Sequence, residues 1–183
     1  MKQNIWKAFW DYRKEEAWLN AMAAKGLSMT DYSWCRYVFE ETEPGAYQYR
    51  IELLEQVPDH PESRSYLHFL EGTGVEVVAV YVRWVYLRQK TSEGGFELFS
   101  DTASRLAHGR KVTALYTALM TLEFLCGLPN LLLGILQWRE HGPTFNLWVG
   151  LPCLALGFVF LFALLLPHLR RMRRLEAETR IRE

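Results

Sequence analysis

Two long, charge-poor stretches in the second half of the chain constrain its structure more than any other feature. From Val112 to Gln137 only Glu123 carries a charge, and from Leu147 to Leu166 none does. As helices they would extend about 39 and 30 Å, against a bilayer hydrocarbon core of about 30 Å. Between them Trp138-Arg139-Glu140-His141-Gly142-Pro143-Thr144 is a short polar turn, with Trp138 and Trp148 where interfacial rings are favoured. Buried helices of soluble proteins rarely run this far without a charge. We therefore expect a transmembrane hairpin with the lipid bilayer as its surroundings.

The flanks orient the hairpin. Arg105, Arg110 and Lys111 precede the first stretch; Arg170, Arg171, Arg173 and Arg174 follow the second. The turn has only Arg139, beside Glu140. Basic flanks mark the cytoplasmic side, so both termini are expected inside a plasma membrane, with the four arginines among anionic headgroups. The resulting organisation is a cytoplasmic domain over 1–104, a basic linker helix over 105–111, spans over 112–137 and 147–167, an external turn over 138–146 and a basic cytoplasmic tail over 168–183.

Charge follows the same division. Lys and Arg number 21 and so do Asp and Glu, but residues 1–104 carry 11 basic and 16 acidic side chains, and 105–183 carry 10 and 5. An acidic N-terminal part excludes a phosphate-binding surface, so no nucleic-acid partner is expected. Nothing after Met1 reads as a signal peptide, because Lys2 to Glu16 alternates aromatic and charged residues. Cys35, Cys126 and Cys153 show no paired spacing, which predicts neither a disulfide framework nor a zinc motif.

Polar and small residues set the expected packing of the hairpin. Glu123, Gly127, Asn130, Gly134 and Gln137 share one helical face, and Asn146, Gly150, Cys153 and Gly157 repeat the spacing. Folding about residue 142 sets Gly134 opposite Gly150 and Gly127 opposite Gly157, where small residues let backbones approach in lipid. Pro129 is expected to kink the first span or free a carbonyl near Leu125. Glu123, with Leu161 expected across from it, is the membrane residue that invites a functional reading, against a structural one at the headgroup level.

The first hundred residues alternate strand and helix signals. Asn4 to Trp10 reads as a strand. Tyr12 to Lys25 reads as an amphipathic helix, capped by Asp11 and stopped at Gly26. Tyr32–Glu40 and Ala46–Leu54, with Pro44-Gly45 between, read as a hairpin. A helix over Ser63–Gly72 follows, then strands over Val75–Ala79, Tyr81–Gln89 and Phe96–Phe99. Ser100 or Asp101 is expected to cap the linking helix. This order predicts an α+β domain of the ferredoxin-like split βαβ pattern with extra strands, and no repeat is apparent.

Several of these residues form a recognisable set. They are Phe9-Trp10-Asp11-Tyr12, Glu15-Glu16, Trp18 to Gly26, Pro44-Gly45 with Tyr47, Tyr49, Arg50 and Ile51, Phe69-Leu70-Glu71, Gly74, Glu76, Arg83-Trp84 and Phe96 to Asp101. Together they resemble the bacterial membrane proteins carrying domain of unknown function 2812. Val75 departs from that pattern, which has an aromatic there. The resemblance implies a domain followed by an apolar hairpin, and it implies no particular activity.

No catalytic residue, metal or cofactor is expected. The five histidines are scattered, Gly72-Thr73-Gly74 and Gly94-Gly95 are turns rather than phosphate loops, and the Glu15-Glu16 pair reads as a solvated helix start. The candidate binding surface is the outer face of the expected hairpin: Trp34 and Arg36 on one strand, Gln48, Arg50 and Glu52 on the next. Cross-strand pairing on a solvated face is the plainer reading of those residues. The function expected is a non-enzymatic, membrane-anchored sensor or adaptor that binds a protein or small amphiphilic ligand. The alternative is a small oligomeric channel or transporter subunit using Glu123. A protein partner or a homo-oligomer is implied either way.

Overall fold

The computed structural model describes residues 2–98 and 102–182, with 139–141 and 179–182 described by backbone alone. It divides into two compact units, Met1–Ser100 and Asp101–Glu183.

The first unit contains strands β1 (Gln3–Trp6), β2 (Leu27–Ser33), β3 (Arg36–Glu41), β4 (Tyr47–Leu53), β5 (Glu76–Tyr81) and β6 (Trp84–Lys90). Helix α1 (Tyr12–Ala23) follows β1, and α2 (Pro61–Gly72) follows β4. The strands form two three-stranded antiparallel sheets, ordered β1-β3-β2 and β4-β6-β5. The βαββ arrangement therefore occurs twice with the same strand order. The two copies match in detail: Gly26 and Gly74 follow the helices at φ +81° and +86°, and the ladders shift register at Met29/Asp31 and at Val77/Ala79. This repeat is invisible in residue identities.

The sequence reading is corrected at three places here. The expected strand Tyr32–Glu40 is broken by a turn at Trp34-Cys35, so the hairpin is β2–β3 and not β3–β4. After Glu41 the chain leaves the first sheet, and β4 pairs with β6. Two three-stranded sheets stand where the ferredoxin-like split βαβ pattern implies one. Residues 96–98 form no strand: the Phe96 amide donates to Gln48 Oε1 (3.0 Å) and the ring is buried in the second core. Phe99, Ser100 and Asp101 lie outside the described residues.

Local chemistry explains the helices. Asp11 caps α1 through its carboxylate, which accepts from the Arg13 amide (3.0 Å). Pro61 opens α2, where a missing amide costs nothing. One apolar core joins Leu19 and Ala23 of α1 to Met29, Tyr37, Phe39, Tyr49, Ile51 and Tyr86. A second joins Leu70 of α2 to Leu54, Val75, Val85, Leu87 and Phe96. Because β6 sends Tyr86 to one core and Val85 and Leu87 to the other, its sheet is covered on both faces. This is why it reads as a continuous apolar run. Each large side chain buried this way contributes roughly 1.5–3 kcal/mol.

The second unit has α3 (Thr102–His141), α4 (Phe145–Val159), a π-helical stretch (Phe160–Leu165) and α5 (Leu166–Arg182). Two helical runs are long and apolar enough to cross a membrane, Thr102–Trp138 and Phe145–Glu178. Only 11% and 22% of their most apolar windows are buried, so most of that surface faces outward. The helix runs on through Pro129. The expected linker helix and first span are a single helix, and α3 continues to His141, leaving Gly142–Thr144 as the turn.

The hairpin seam uses the expected residues in a shifted register. A Cβ placed on Gly134 would lie 2.6 Å from Leu147 Cγ, and one on Gly127 would lie 2.8 Å from Leu154 Cγ. One on Gly150 would lie 2.6 Å from the Leu131 amide nitrogen, and Gly157 faces Glu123 and Phe124. Leucines fill the gaps at Gly127 and Gly134, while Gly150 lies against the backbone of α3. The chain folds back beside the last turns of α3, with Asn146 Nδ2 donating to Gln137 Oε1 (2.9 Å). Gly157, not Leu161, therefore lies across from Glu123.

The outer edge of β4 is closed by α1. The Tyr49 amide donates to Asn20 Oδ1 (2.8 Å), Asn20 Nδ2 donates back to the Tyr49 carbonyl (3.0 Å), and the Ile51 amide donates to Glu16 Oε2 (2.9 Å). Side chains thus take the place of a missing strand. Asn20→Ala leaves the Tyr49 amide unpaired, while the carbonyl keeps its bond from Arg50, so a loss of about 1–3 kcal/mol is expected. Urea unfolding of the full chain in detergent micelles, followed by far-ultraviolet circular dichroism, reads this as a lower midpoint.

Candidate functional site

Residues 2–98 place a buried carboxylate beneath a rim of aromatic side chains. Glu15 lies one turn before Leu19 and two before Ala23, on the buried stripe of α1, and is 8% exposed. Its Oε1 accepts from Tyr37 Oη (2.6 Å) and Tyr86 Oη (2.7 Å). Tyr37 belongs to the first sheet and Tyr86 to the second, so one carboxylate oxygen ties the sheets together. Burial pushes the Glu15 carboxyl above the ordinary carboxylate range, and the two hydroxyl donors offset part of that rise. Burial, reinforced by the neighbouring carboxylate, pushes both tyrosines up, so they remain donors.

Rings continue outward from this clasp. Tyr32 packs on Tyr86 (centroids 4.6 Å) and on Tyr37 (4.7 Å), and Tyr81 meets Tyr32 (5.6 Å) and Trp34 (6.3 Å). Tyr12 lies 5.3 Å from Trp84, and Lys7 Nζ sits 4.8 Å from the centroids of Phe9 and Trp18. At this end of the sheets Trp6 pairs in register with Arg36, and the Lys7 amide donates to the Cys35 carbonyl (2.9 Å). Trp6, Trp34 and Val82 are 68%, 72% and 70% exposed, which leaves apolar surface facing outward at the two tips and beside them.

The two hairpin tips at this end are strained. Trp34 (φ 44°) and Cys35 (φ 63°) occupy the left-handed region in the β2–β3 turn, and Val82 (φ 58°) does so in the β5–β6 turn. Glycine or asparagine is the ordinary choice there, and a β-branched residue is a genuine outlier. Such strain costs about 1–3 kcal/mol per residue and clusters at functional sites.

The structure does not bring the sequence-derived binding patch together. Trp34 lies in the β2–β3 turn and Arg36 opens β3 of the first sheet, where it lies 3.9 Å from Asp31. Gln48, Arg50 and Glu52 belong to the second, and each has an internal partner. Gln48 holds the Phe96 amide, Arg50 donates to the Tyr49 carbonyl (2.9 Å) beside Glu16 (3.6 Å), and Glu52 is buried and accepts from Tyr66 Oη (2.7 Å). The β3–β4 hairpin on which the patch depended does not form. Only Trp34 remains in the aromatic rim.

Glu15 shows the opposite outcome. It reads as a solvated helix start but is a core residue, and its four-residue spacing from Leu19 and Ala23 is the signal that places it there. The hairpin residues Gly127, Asn130, Gly134, Gly150, Cys153 and Gly157 do meet at the α3–α4 contact, with Glu123 half-buried beside them. Arg170, Arg171, Arg173 and Arg174 are exposed on α5. His108 and His168 are buried, and His168 Nε2 lies 2.9 Å from the Gly109 carbonyl. Among the described residues no group of three or more His, Cys, Asp or Glu side chains stands at metal-holding spacing.

A family model described as "Protein of unknown function (DUF2812)" matches residues 11–121, from the cap of α1 into α3. No curated protein and no solved structure matches the chain.

Glu15 makes stability depend on pH in a defined direction. Its raised carboxyl binds a proton more tightly in the folded than in the unfolded state. Its contribution is therefore fully present below the ordinary value of 4.5 and is lost as pH rises through the folded value. Glu15→Gln keeps an acceptor for both tyrosines and removes the charge. The difference in urea midpoint, wild type minus Glu15→Gln, is expected to fall as pH rises across that window. A difference independent of pH contradicts the assignment.

Proposed function

The chain belongs to the family of unknown function that this model describes, and from that premise we propose that it is a non-enzymatic, membrane-anchored sensor or adaptor. Its two apolar helical runs cross the membrane, and both termini and residues 1–104 lie on the cytoplasmic side. The aromatic end of that domain captures a protein or a small amphiphilic ligand. The observation that carries this reading is the strain at the tips. Trp34, Cys35 and Val82 hold costly backbone conformations where cheaper residues exist, and Trp34 and Val82 present apolar surface to solvent. A feature that lowers stability and exposes apolar area is explained by what it binds.

The membrane assignment rests on the outward-facing apolar surface of the helices, and on Trp138 and Trp148 (54% and 75% exposed) flanking the turn. Orientation rests on arginines: four exposed on α5 and three basic residues at the start of α3, against Arg139 alone near the turn. The competing reading, an oligomeric channel or transporter subunit using Glu123, draws less support. That carboxylate lies within the packed seam, with Gly157 against its Cβ.

Replacing the strained tips separates binding from folding. Trp34→Asn with Cys35→Gly, combined with Val82→Gly, is expected to raise stability by about 1–3 kcal/mol through relief of backbone strain. The same variant is expected to lose capture of the species that wild type crosslinks, in native membranes, through a photoreactive residue at position 6. A stabilised variant with undiminished crosslinking removes the aromatic end as the recognition surface. Equal ion flux through liposomes carrying wild type and Glu123→Leu is expected as well; flux abolished by that substitution favours the channel.

A further inference from the structure

Cys126 on α3 and Cys153 on α4 are distant in sequence, yet their Sγ atoms lie 3.7 Å apart. Both thiols are free and half-buried. Their approach follows from the glycine seam. Gly127 adjoins Cys126, Gly150 is one turn from Cys153, and neither has room for a Cβ. A disulfide requires Cα atoms about 4.4–6.8 Å apart, which few helix pairs reach without small residues at the contact. Asn130 adds a local restraint: its amide donates to the Cys126 carbonyl (2.8 Å) and stands 3.9 Å from the Cys126 sulfur.

We propose that Cys126 and Cys153 form a reversible redox pair that locks the helical hairpin, with a lipid-soluble quinone as oxidant. Two S–H bonds break and one S–S bond forms. The two electrons and two protons pass to the quinone, which leaves as the quinol; an added dithiol reverses the step by exchange and is itself oxidised to its disulfide. The class of oxidant follows from the setting. The pair sits half-exposed on apolar helices read above as membrane-spanning, where a lipid-soluble oxidant concentrates. The crosslink fixes α3 against α4 in the register that the leucine-filled glycine gaps define. The proposal rests on the membrane-spanning reading but not on ligand capture at the aromatic end.

The test uses the full chain carrying Cys35→Ser, reconstituted in lipid nanodiscs, so that two thiols remain. Treatment with a short-chain quinone is expected to abolish alkylation of both by maleimide. Intact mass should fall by two hydrogens, with no dimer formed, and dithiothreitol should restore both thiols. Adding Cys126→Ser or Cys153→Ser is expected to leave the remaining thiol reactive after the same treatment. Thiols that survive both quinone and diamide overturn the pairing. Joining by diamide but not by quinone overturns the proposal at its oxidant, and loss of thiols only through intermolecular dimers overturns it at its geometry. A chain that fails to enter nanodiscs refutes the membrane reading instead, which is a distinguishable result.

Discussion

The first unit depends on a single polar contact at the centre of its larger core. Glu15 accepts one hydroxyl from each sheet, and without it Tyr37 and Tyr86 would lose the acceptor they share. Burying a carboxylate is costly unless it is hydrogen-bonded, and two tyrosine donors on one oxygen supply part of that compensation. The neighbouring stripe of the same helix, Glu16 and Asn20, closes the edge of β4. Helix α1 therefore joins two sheets through its polar residues while packing on them through Leu19 and Ala23. It combines the roles of a core helix and of a missing strand.

The repeated βαββ arrangement explains why the strained tips share one end. In each half the second and third strands form the hairpin, and the third lies in the centre of its sheet. Matching placement of the two hairpins brings Trp34 of one turn within ring contact of Tyr81 beside the other. The halves differ where they meet different neighbours. The first turn carries an aromatic and the second a valine. The first helix uses a buried acid where the second keeps Ser63, whose hydroxyl donates to the Gln56 carbonyl (3.3 Å).

Sequence reading succeeded where a signal is local. The cap and stop of α1, the end of α2 at Gly72, the strand β4 and the two apolar runs all follow from nearby residue types or from period. It failed where tertiary structure overrides those signals. Trp34-Cys35 carries no turn chemistry, so β2 and β3 merged into one expected strand, and the partner assigned to β4 was wrong as a result. The binding patch failed with it, because Gln48, Arg50 and Glu52 lie on a face that the following segment and α2 cover. The seam residues were identifiable from their spacing. Their register was not, since it depends on how far α3 continues before the chain turns.

Within residues 2–98 the polar side chains nearest the core are already engaged. Glu15 serves two tyrosines, Glu16 and Asn20 serve the backbone of β4, Glu52 serves Tyr66, and Arg83 donates to the carbonyls of Leu54 and Glu55. Groups held in this way stabilise one arrangement, and engaging a ligand with any of them would mean breaking a buried bond at about 1–3 kcal/mol. The apolar tips carry no such obligation. Trp6, Trp34 and Val82 gain contacts only when something covers them, and that occupant also removes exposed apolar area from water. A ligand captured at this end, as proposed above, would therefore add stability to the domain, whereas one engaging the buried polar network would subtract from it.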